Sequence, residues 1–135
     1  MGYNTSMEFV LGRRAGYFEP NADVFIDDER GQVIVAVEVA GADPDSLRIS
    51  IDDRYLLISG RRTEVARFRR GSFIQKEIVH GQFAKRVSLP VAIDFVDVVA
   101  SYADGVLVIA LPVSATAYLP TSRTEIRMTI KRTLS

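Results

Sequence analysis

The sequence offers little with which to do covalent or metal chemistry. It holds one histidine, His80, and no cysteine, so any Ser-His-Asp relay or imidazole-based metal site has to be built around that single ring. His80 stands between Val79 and Gly81, in what reads as a turn between two strands, and a solvated turn residue is the simpler reading. The lack of cysteine excludes disulfides, thiolate nucleophiles, iron–sulfur clusters and cysteine-bound zinc. Asp27-Asp28-Glu29 and Asp52-Asp53 carry the oxygen ligands a hard cation takes, but neither follows the spacing of an EF-hand loop. Both suit acidic hairpin tips. There is no G-x-x-x-x-G-K-[ST] or G-x-G-x-x-G loop to cradle phosphate, and nothing marks the two opposed carboxylates of a glycoside hydrolase. The chain therefore reads as a non-enzyme that uses no metal and no cofactor.

Charge and size narrow the classes further. The 135 residues, 47% hydrophobic and 25% charged, have the size and balance of one globular domain. Seventeen basic residues face seventeen acidic ones, which argues against a nucleic-acid binder, since such a protein needs surplus Lys and Arg to displace counterions. The pairs Arg61-Arg62 and Arg69-Arg70 read as solvated loop charges. No run of eighteen apolar residues is present to span a membrane, and the first sixteen residues lack the pattern of a secretory signal, so a cytoplasmic location is expected. The charge is uneven. Residues 22–112 hold 14 acidic and 11 basic side chains, a net of −3, whereas residues 113–135 hold four basic and one acidic, a net of +3.

The elements that position these residues are strands. Val33–Val39 is rich in β-branched residues, and Leu47-Arg48-Ile49-Ser50-Ile51 alternates apolar with polar, the mark of a half-buried strand. Tyr55–Ser59, Phe73–Val79, Phe83–Leu89, Val98–Tyr102 and Val106–Leu111 continue the series. Asp43-Pro44-Asp45-Ser46 is a turn, and Asp104-Gly105 between apolar runs signals a tight hairpin. No stretch longer than a turn repeats at 3.6 residues; only Glu8–Arg14 has the makings of a short helix. The pattern predicts an all-β protein, an antiparallel β-sandwich, in three zones. Residues 1–21 form an apolar mobile head, 22–112 the sandwich, and 113–135 an extended tail broken by Pro120. The tail's last segment, Glu125–Lys131, alternates like a strand. Either it packs as one more strand on its own domain, or it adds to the sheet edge of a neighbouring subunit. Phe9, Val10, Leu11, Tyr17 and Phe18 in the head either complete the core or, separated by Gly12, Arg13, Arg14 and Gly16, stay outside it.

At this point the residues resemble a known family. Ala100-Ser-Tyr-Ala-Asp104-Gly105-Val106-Leu107 is similar to the A-x-x-x-[ND]-G-V-L signature of the small heat-shock proteins, whose conserved part is the α-crystallin domain. Val39-Ala-Gly41, then Asp43-Pro44-Asp45-Ser46-Leu47, then Leu57-Ile58-Ser59-Gly60-Arg61 follow the family's order, as do Gly81-Gln-Phe83 and Leu89-Pro90. The resemblance covers about residues 22–112. It implies an immunoglobulin-like sandwich and an ATP-independent holdase that binds partly unfolded client proteins, with Phe9, Val10, Leu11, Tyr17 and Phe18 as client-binding residues. It also implies a homodimer that assembles into larger oligomers. The partners exchange a strand, which the loop length places at Thr63–Phe68, with Thr63, Val65, Arg67 and Phe68 in it, received beside the partner's first strand near Ala22–Ile26.

The family's I-x-I/V tail motif corresponds to Ile126-Arg-Met128 or Met128-Thr-Ile130, with the first preferred on its spacing from Pro112. Its docking groove is expected at Leu47, Ile49 and Ile51 on one strand and Val98 and Ala100 on another. Methionine at 128 departs from the motif. Two further departures are Lys85 and Ile78, where the family usually has arginine; Glu77, Lys85 and Arg86 are the candidates for the dimer's ion-pair network, in which lysine lacks arginine's fork. The alternative reading is a non-catalytic β-sandwich co-chaperone or interaction module that binds one specific protein partner.

Overall fold

The computed structural model describes residues 17–64, 70–114, 124–125 and 129–130. Among the described residues ten strands follow one another: β1 (Tyr17–Phe18), β2 (Ala22–Asp27), β3 (Gln32–Glu38), β4 (Arg48–Asp52), β5 (Tyr55–Arg62), β6 (Gly81–Ser88), β7 (Val99–Ala103), β8 (Val106–Pro112), β9 (Thr124–Glu125) and β10 (Thr129–Ile130). They form two sheets, ordered β1-β6-β5-β4-β9 and β10-β7-β8-β3-β2. The long strands pair antiparallel, while the two-residue strands β1 and β10 pair parallel to β6 and β7. The fold is the antiparallel β-sandwich that the alternation of residues predicts, with the immunoglobulin-like form that the resemblance implies. No helix among the described residues is long and apolar enough to cross a membrane.

Register explains why the sheets pack. Val33, Val35 and Val37 of β3 stand opposite Leu111, Ile109 and Leu107 of β8, and all six are fully buried. Across the sandwich they meet Ile49 and Ile51 of β4, Leu56 and Ile58 of β5, and Phe83 and Val87 of β6, in a single core cluster. Successive side chains of a strand point to opposite faces, so a slip of one residue would turn this whole set outward. Each of these side chains contributes about 1.5–3 kcal/mol on full burial.

Turn chemistry fixes the register. Asp104 and Gly105 both have positive φ, 54° and 79°, the pair that a two-residue type I′ hairpin needs between β7 and β8. Asp43 caps the 3-10 turn Pro44–Ser46 by accepting from the Asp45 amide at 3.1 Å. The β4–β5 hairpin is tight: Asp52 pairs with Tyr55, leaving only Asp53 and Arg54 in the loop.

One expectation is corrected. Phe73–Val79 is not a strand; alternation makes a segment extended, but a strand also needs a neighbouring strand to ladder with, and none lies beside this stretch among the described residues. Its apolar side chains stay in solvent, with Ile74 fully exposed at 103%. For the last aromatic pair of the head, the structure takes one of the two alternatives left open: the pair is part of a sheet. Tyr17 and Phe18 form β1 against Gln82 and Phe83, because Phe18 gains an aromatic neighbour there, its ring centroid 5.5 Å from that of Phe83.

Candidate functional site

Among the described residues no three His, Asp or Glu side chains form a group that could hold a metal. Asp27 is used inside its own turn, accepting from the Arg30 amide at 3.1 Å. His80 is half-buried, and its Nδ1 is shielded from solvent with no hydrogen-bond partner. What the fold does organise is its strand edges.

One edge pair is covered by the tail. β9 pairs antiparallel with β4, Glu125 opposite Ser50 and Thr124 opposite Ile51. β10 pairs parallel with β7, Thr129 opposite Ser101 and Ile130 opposite Tyr102. Only residues 126–128 separate the two, a reach of about 13 Å at 3.3 Å per residue. The edges of β4 and β7 therefore lie on the same side of the sandwich, across the roughly 10 Å gap between packed sheets. Leu47, Ile49, Ile51 and Ala100, expected to line a groove, are buried core residues at these two strands, with Val98 partly buried beside them. Ile126 and Met128 lie outside the described residues.

On the opposite side no described strand covers the edge. β2 ends its sheet, and Val24, Phe25 and Ile26 on it are exposed, Phe25 at 62%. The segment 73–79 adds exposed Phe73, Ile74, Ile78 and Val79. Of the residues expected in an exchanged strand, Thr63 and Glu64 are in a loop, while Val65, Arg67 and Phe68 lie outside the described residues, as do Phe9, Val10 and Leu11 of the head.

Three residues that patterning alone undervalued hold the loop ends and the signature together. Arg62 donates from Nε and Nη2 to the Val79 carbonyl and from Nη1 to the Ala40 carbonyl at 3.3 Å, which ties together both ends of the loop between β5 and β6. Tyr102 is buried and donates to the Val39 carbonyl at 2.8 Å, while its hydroxyl oxygen accepts from the Ala42 amide at 3.2 Å. Gly60 has no room for a side chain: a Cβ would fall 2.5 Å from Phe83 Cζ and 2.9 Å from Leu47 Cδ2. A sequence signal existed for each, in the Ser-Gly-Arg-Arg run and the Ser-Tyr before Asp104-Gly105, but not the partner.

The sequence model of the Hsp20/alpha crystallin family matches residues 25–130. The chain belongs to that family. The α-crystallin domain seen here is similar to an alpha-crystallin of Mycobacterium bovis, 37% identical over 92 residues, 66% of this chain. It is also similar to small heat shock protein C4 of Rickettsia felis, 29% identical over 87 residues, 64% of this chain. The aligned stretches span 61% and 53% of those relatives' own lengths, so the chain matches little more than half of each. Among solved structures, the small heat-shock protein of Xylella fastidiosa superposes with a TM-score of 0.60 at 30% identity, over 75% of this chain and 90% of that one. Heat shock protein 16.0 of Schizosaccharomyces pombe shares the fold, with a TM-score of 0.63 at 21% identity over 84% of both chains.

Within this α-crystallin domain the family signature is the β7–β8 hairpin. Ala100 and Leu107 are buried in the core, and Asp104 and Gly105 make the turn. The candidate dimer ion-pair residues have local partners in the single chain. Glu77 accepts from Gln75 at 2.6 Å, Lys85 Nζ lies 3.7 Å from Glu19 Oε2, and the Arg86 guanidinium sits 4.5 Å from the centroid of the Tyr55 ring.

Proposed function

We propose that this small heat-shock protein is an ATP-independent holdase of the cytoplasm, which binds partly unfolded client proteins and prevents their aggregation without catalysis. One observation carries the reading: the single chain has two apolar stretches of backbone with no described strand laddered to them, the outer edge of β2 and the segment 73–79. An edge of this kind pairs with another chain unless something covers it. In the proposed homodimer the loop between β5 and β6 of one chain reaches the β2 edge of the other. Its exchanged strand is the apolar part at 73–79, ten residues later than the loop length alone suggests.

A second surface supports client binding. The outward residues of one sheet run Phe25, Ile34, Ala110 and Val99 across four paired strands, an apolar row where a solvated sheet face is ordinarily polar. Burial of apolar area on a client is worth about 25 cal/mol per Å², so such a row holds an unfolding chain without specific chemistry. The head residues Phe9, Val10 and Leu11 are assigned the same task. Assembly beyond the dimer is assigned to the tail, through Ile126 and Met128 or Met128 and Ile130. The small heat-shock protein of Xylella fastidiosa has a distinct high order structure, which supports this assignment by analogy.

The test is light scattering of a heat-aggregating client without ATP at rising ratios of this protein. Suppression near equimolar ratio is expected. Unchanged scattering would overturn the holdase reading in favour of a module dedicated to one partner.

A further inference from the structure

The outer faces of the two sheets differ in the sign of their charge. In the sheet of β2, β3, β8 and β7 the alternate residues Val33, Val35 and Val37, with Leu107, Ile109 and Leu111, are buried in the core, so the residues between them point outward. The charged members of this outward set are Asp23 and Asp27 of β2 and Glu38 of β3, paired with Ala36, Gln32 and Val106. No lysine or arginine stands in the set among the described residues. None of the three carboxylates enters an ion pair among the described residues. Asp27 does accept from the backbone amide of Arg30 in the adjoining turn. Arg62 reaches Ala40, two residues beyond Glu38, but it is committed to the Ala40 and Val79 carbonyls and the Phe18 ring. At the far edge Lys131, which follows β10, lies outside the described residues. The outward set of the other sheet is mainly basic, with Arg48, Arg61 and Arg86 against Asp52; there Arg61 pairs with Asp43, and Arg86 lies over Tyr55.

We infer that the acidic face takes extended client segments whose outward residues alternate basic and apolar, in the order basic-x-apolar-x-basic. This names the class of client and rests on the holdase reading. Spacing decides the order. Asp23, Phe25 and Asp27 are successive outward residues of β2, about 7 Å apart, which is also the interval between alternate side chains of an extended segment. An apolar client side chain seated on Phe25 and its neighbour Ile34 therefore brings the basic residues two positions before and after it to Asp23 and Asp27. A helix presents residues three and four apart on one face and does not fit this order. Phe25 and Val99 at the two ends of the apolar row are 62% and 59% exposed, and Ala36 and Val108 form a second apolar pair beside it. Glu38 closes the surface at one end. The same carboxylates repel a client segment rich in Asp and Glu, so the face selects by repulsion as well as by attraction. A strand exchanged onto the β2 edge would ladder to its backbone and leave this face uncovered.

The test uses the full chain and two labelled peptides, repeats of Lys-Ser-Leu-Ser and of Glu-Ser-Leu-Ser of equal length, titrated by fluorescence anisotropy. The lysine peptide is expected to bind about tenfold more tightly, as three exposed ion pairs allow, and about 1 M salt to erase the difference. Asp23→Asn/Asp27→Asn/Glu38→Gln is expected to erase it too. Glu19→Gln/Asp45→Asn/Asp53→Asn makes the same change of net charge beside the other sheet and is expected to keep it. Ile34→Thr retains a strand-forming residue but weakens the apolar row, and it is expected to weaken both peptides several-fold. Equal binding of the two peptides, a preference that survives the face variant or is lost equally in the control, or unchanged binding in Ile34→Thr would overturn the proposal. So would failure of both peptides to bind at concentrations that suppress client scattering; each of these outcomes leaves the holdase reading standing. Absence of scattering suppression by the unaltered protein is instead the failure of that reading. A face variant of lower oligomer mass would assign the face to a second copy of the chain and overturn the proposal.

Discussion

The guanidinium of Arg62 lies over the ring of Phe18, 4.6 Å from its centroid, while the same group binds the carbonyls of Val79 and Ala40. One side chain thus joins the first strand to both ends of the loop that is proposed to cross to the partner. Lysine at this position keeps the charge but not the planar fork that serves two carbonyls and a ring at once. Arg62→Lys is expected to lower stability by about 1 kcal/mol and to speed amide hydrogen exchange at residues 78–80. Equal exchange in the two proteins would show that the loop end is held by something else.

Phe18→Ala should cost more. It removes a partly buried ring packed on the core and on Phe83, and truncation of a buried phenylalanine costs about 3–5 kcal/mol, with the lower end fitting incomplete burial. Urea unfolding followed by far-ultraviolet circular dichroism measures this as a lower midpoint with an unchanged slope. A loss under about 0.5 kcal/mol, of the order of an ordinary surface substitution, would place Phe18 outside the folded unit.

Gly60 faces Phe83 across the β5–β6 ladder, and the added methyl of Gly60→Ala would clash with that ring and with Leu47. Overpacking of this kind costs about 1–3 kcal/mol. Tyr102→Phe removes one donor and one acceptor from a buried pair of hydrogen bonds and leaves the ring, a loss of about 1 kcal/mol. Both losses are readable as shifts in thermal midpoint, and Gly60→Ala is expected to shift it further.

Most of the sandwich was legible in the residues because its strands are half-buried. Leu47–Ile51 alternates against one core, and Asp104-Gly105 names its own turn, so local chemistry and global fold agree there. The rest depended on partners far along the chain. Phe73–Val79 has the composition of a strand but no described strand to ladder with, and composition cannot distinguish the two cases. Tyr17-Phe18 is too short to show a period and becomes a strand only because Phe83 lies beside it. Arg62 looked like a solvated loop charge because its carbonyl partners, Val79 and Ala40, lie 17 and 22 residues away. The expected groove residues were recognisable as apolar positions of two strands. That β4 and β7 share one side of the sandwich came from the resemblance alone, and the three-residue link between β9 and β10 gives it a physical reason.

The dimer proposal makes a separate prediction. A charge at Ile74, which is fully exposed in the single chain, cannot disturb that chain's core, but in an exchanged strand it would sit against the apolar β2 edge of the partner. Ile74→Asp is therefore expected to leave the thermal midpoint of a dilute sample nearly unchanged and to convert dimers to monomers. Size-exclusion chromatography with light scattering reads the mass. A dimer that survives Ile74→Asp would remove residues 73–79 from the interface.

The tail is expected to set assembly beyond the dimer. β9 and β10 together close two sheet edges, β4 and β7, through a link of three residues. Whichever chain supplies it, the segment can satisfy both edges only by spanning the gap between sheets, so one tail serves one sandwich. Inserted by a neighbour, it joins two dimers; inserted by its own chain, it closes the sandwich and blocks that junction. These two states compete for the same backbone groups, and their balance determines how many edges remain available. Deleting residues 123–135 removes both strands at once. The expected outcome is a shift of mass from oligomers to dimers in light scattering. An oligomer mass that survives the deletion would mean that the tail closes only its own sheets and that the dimers are joined elsewhere.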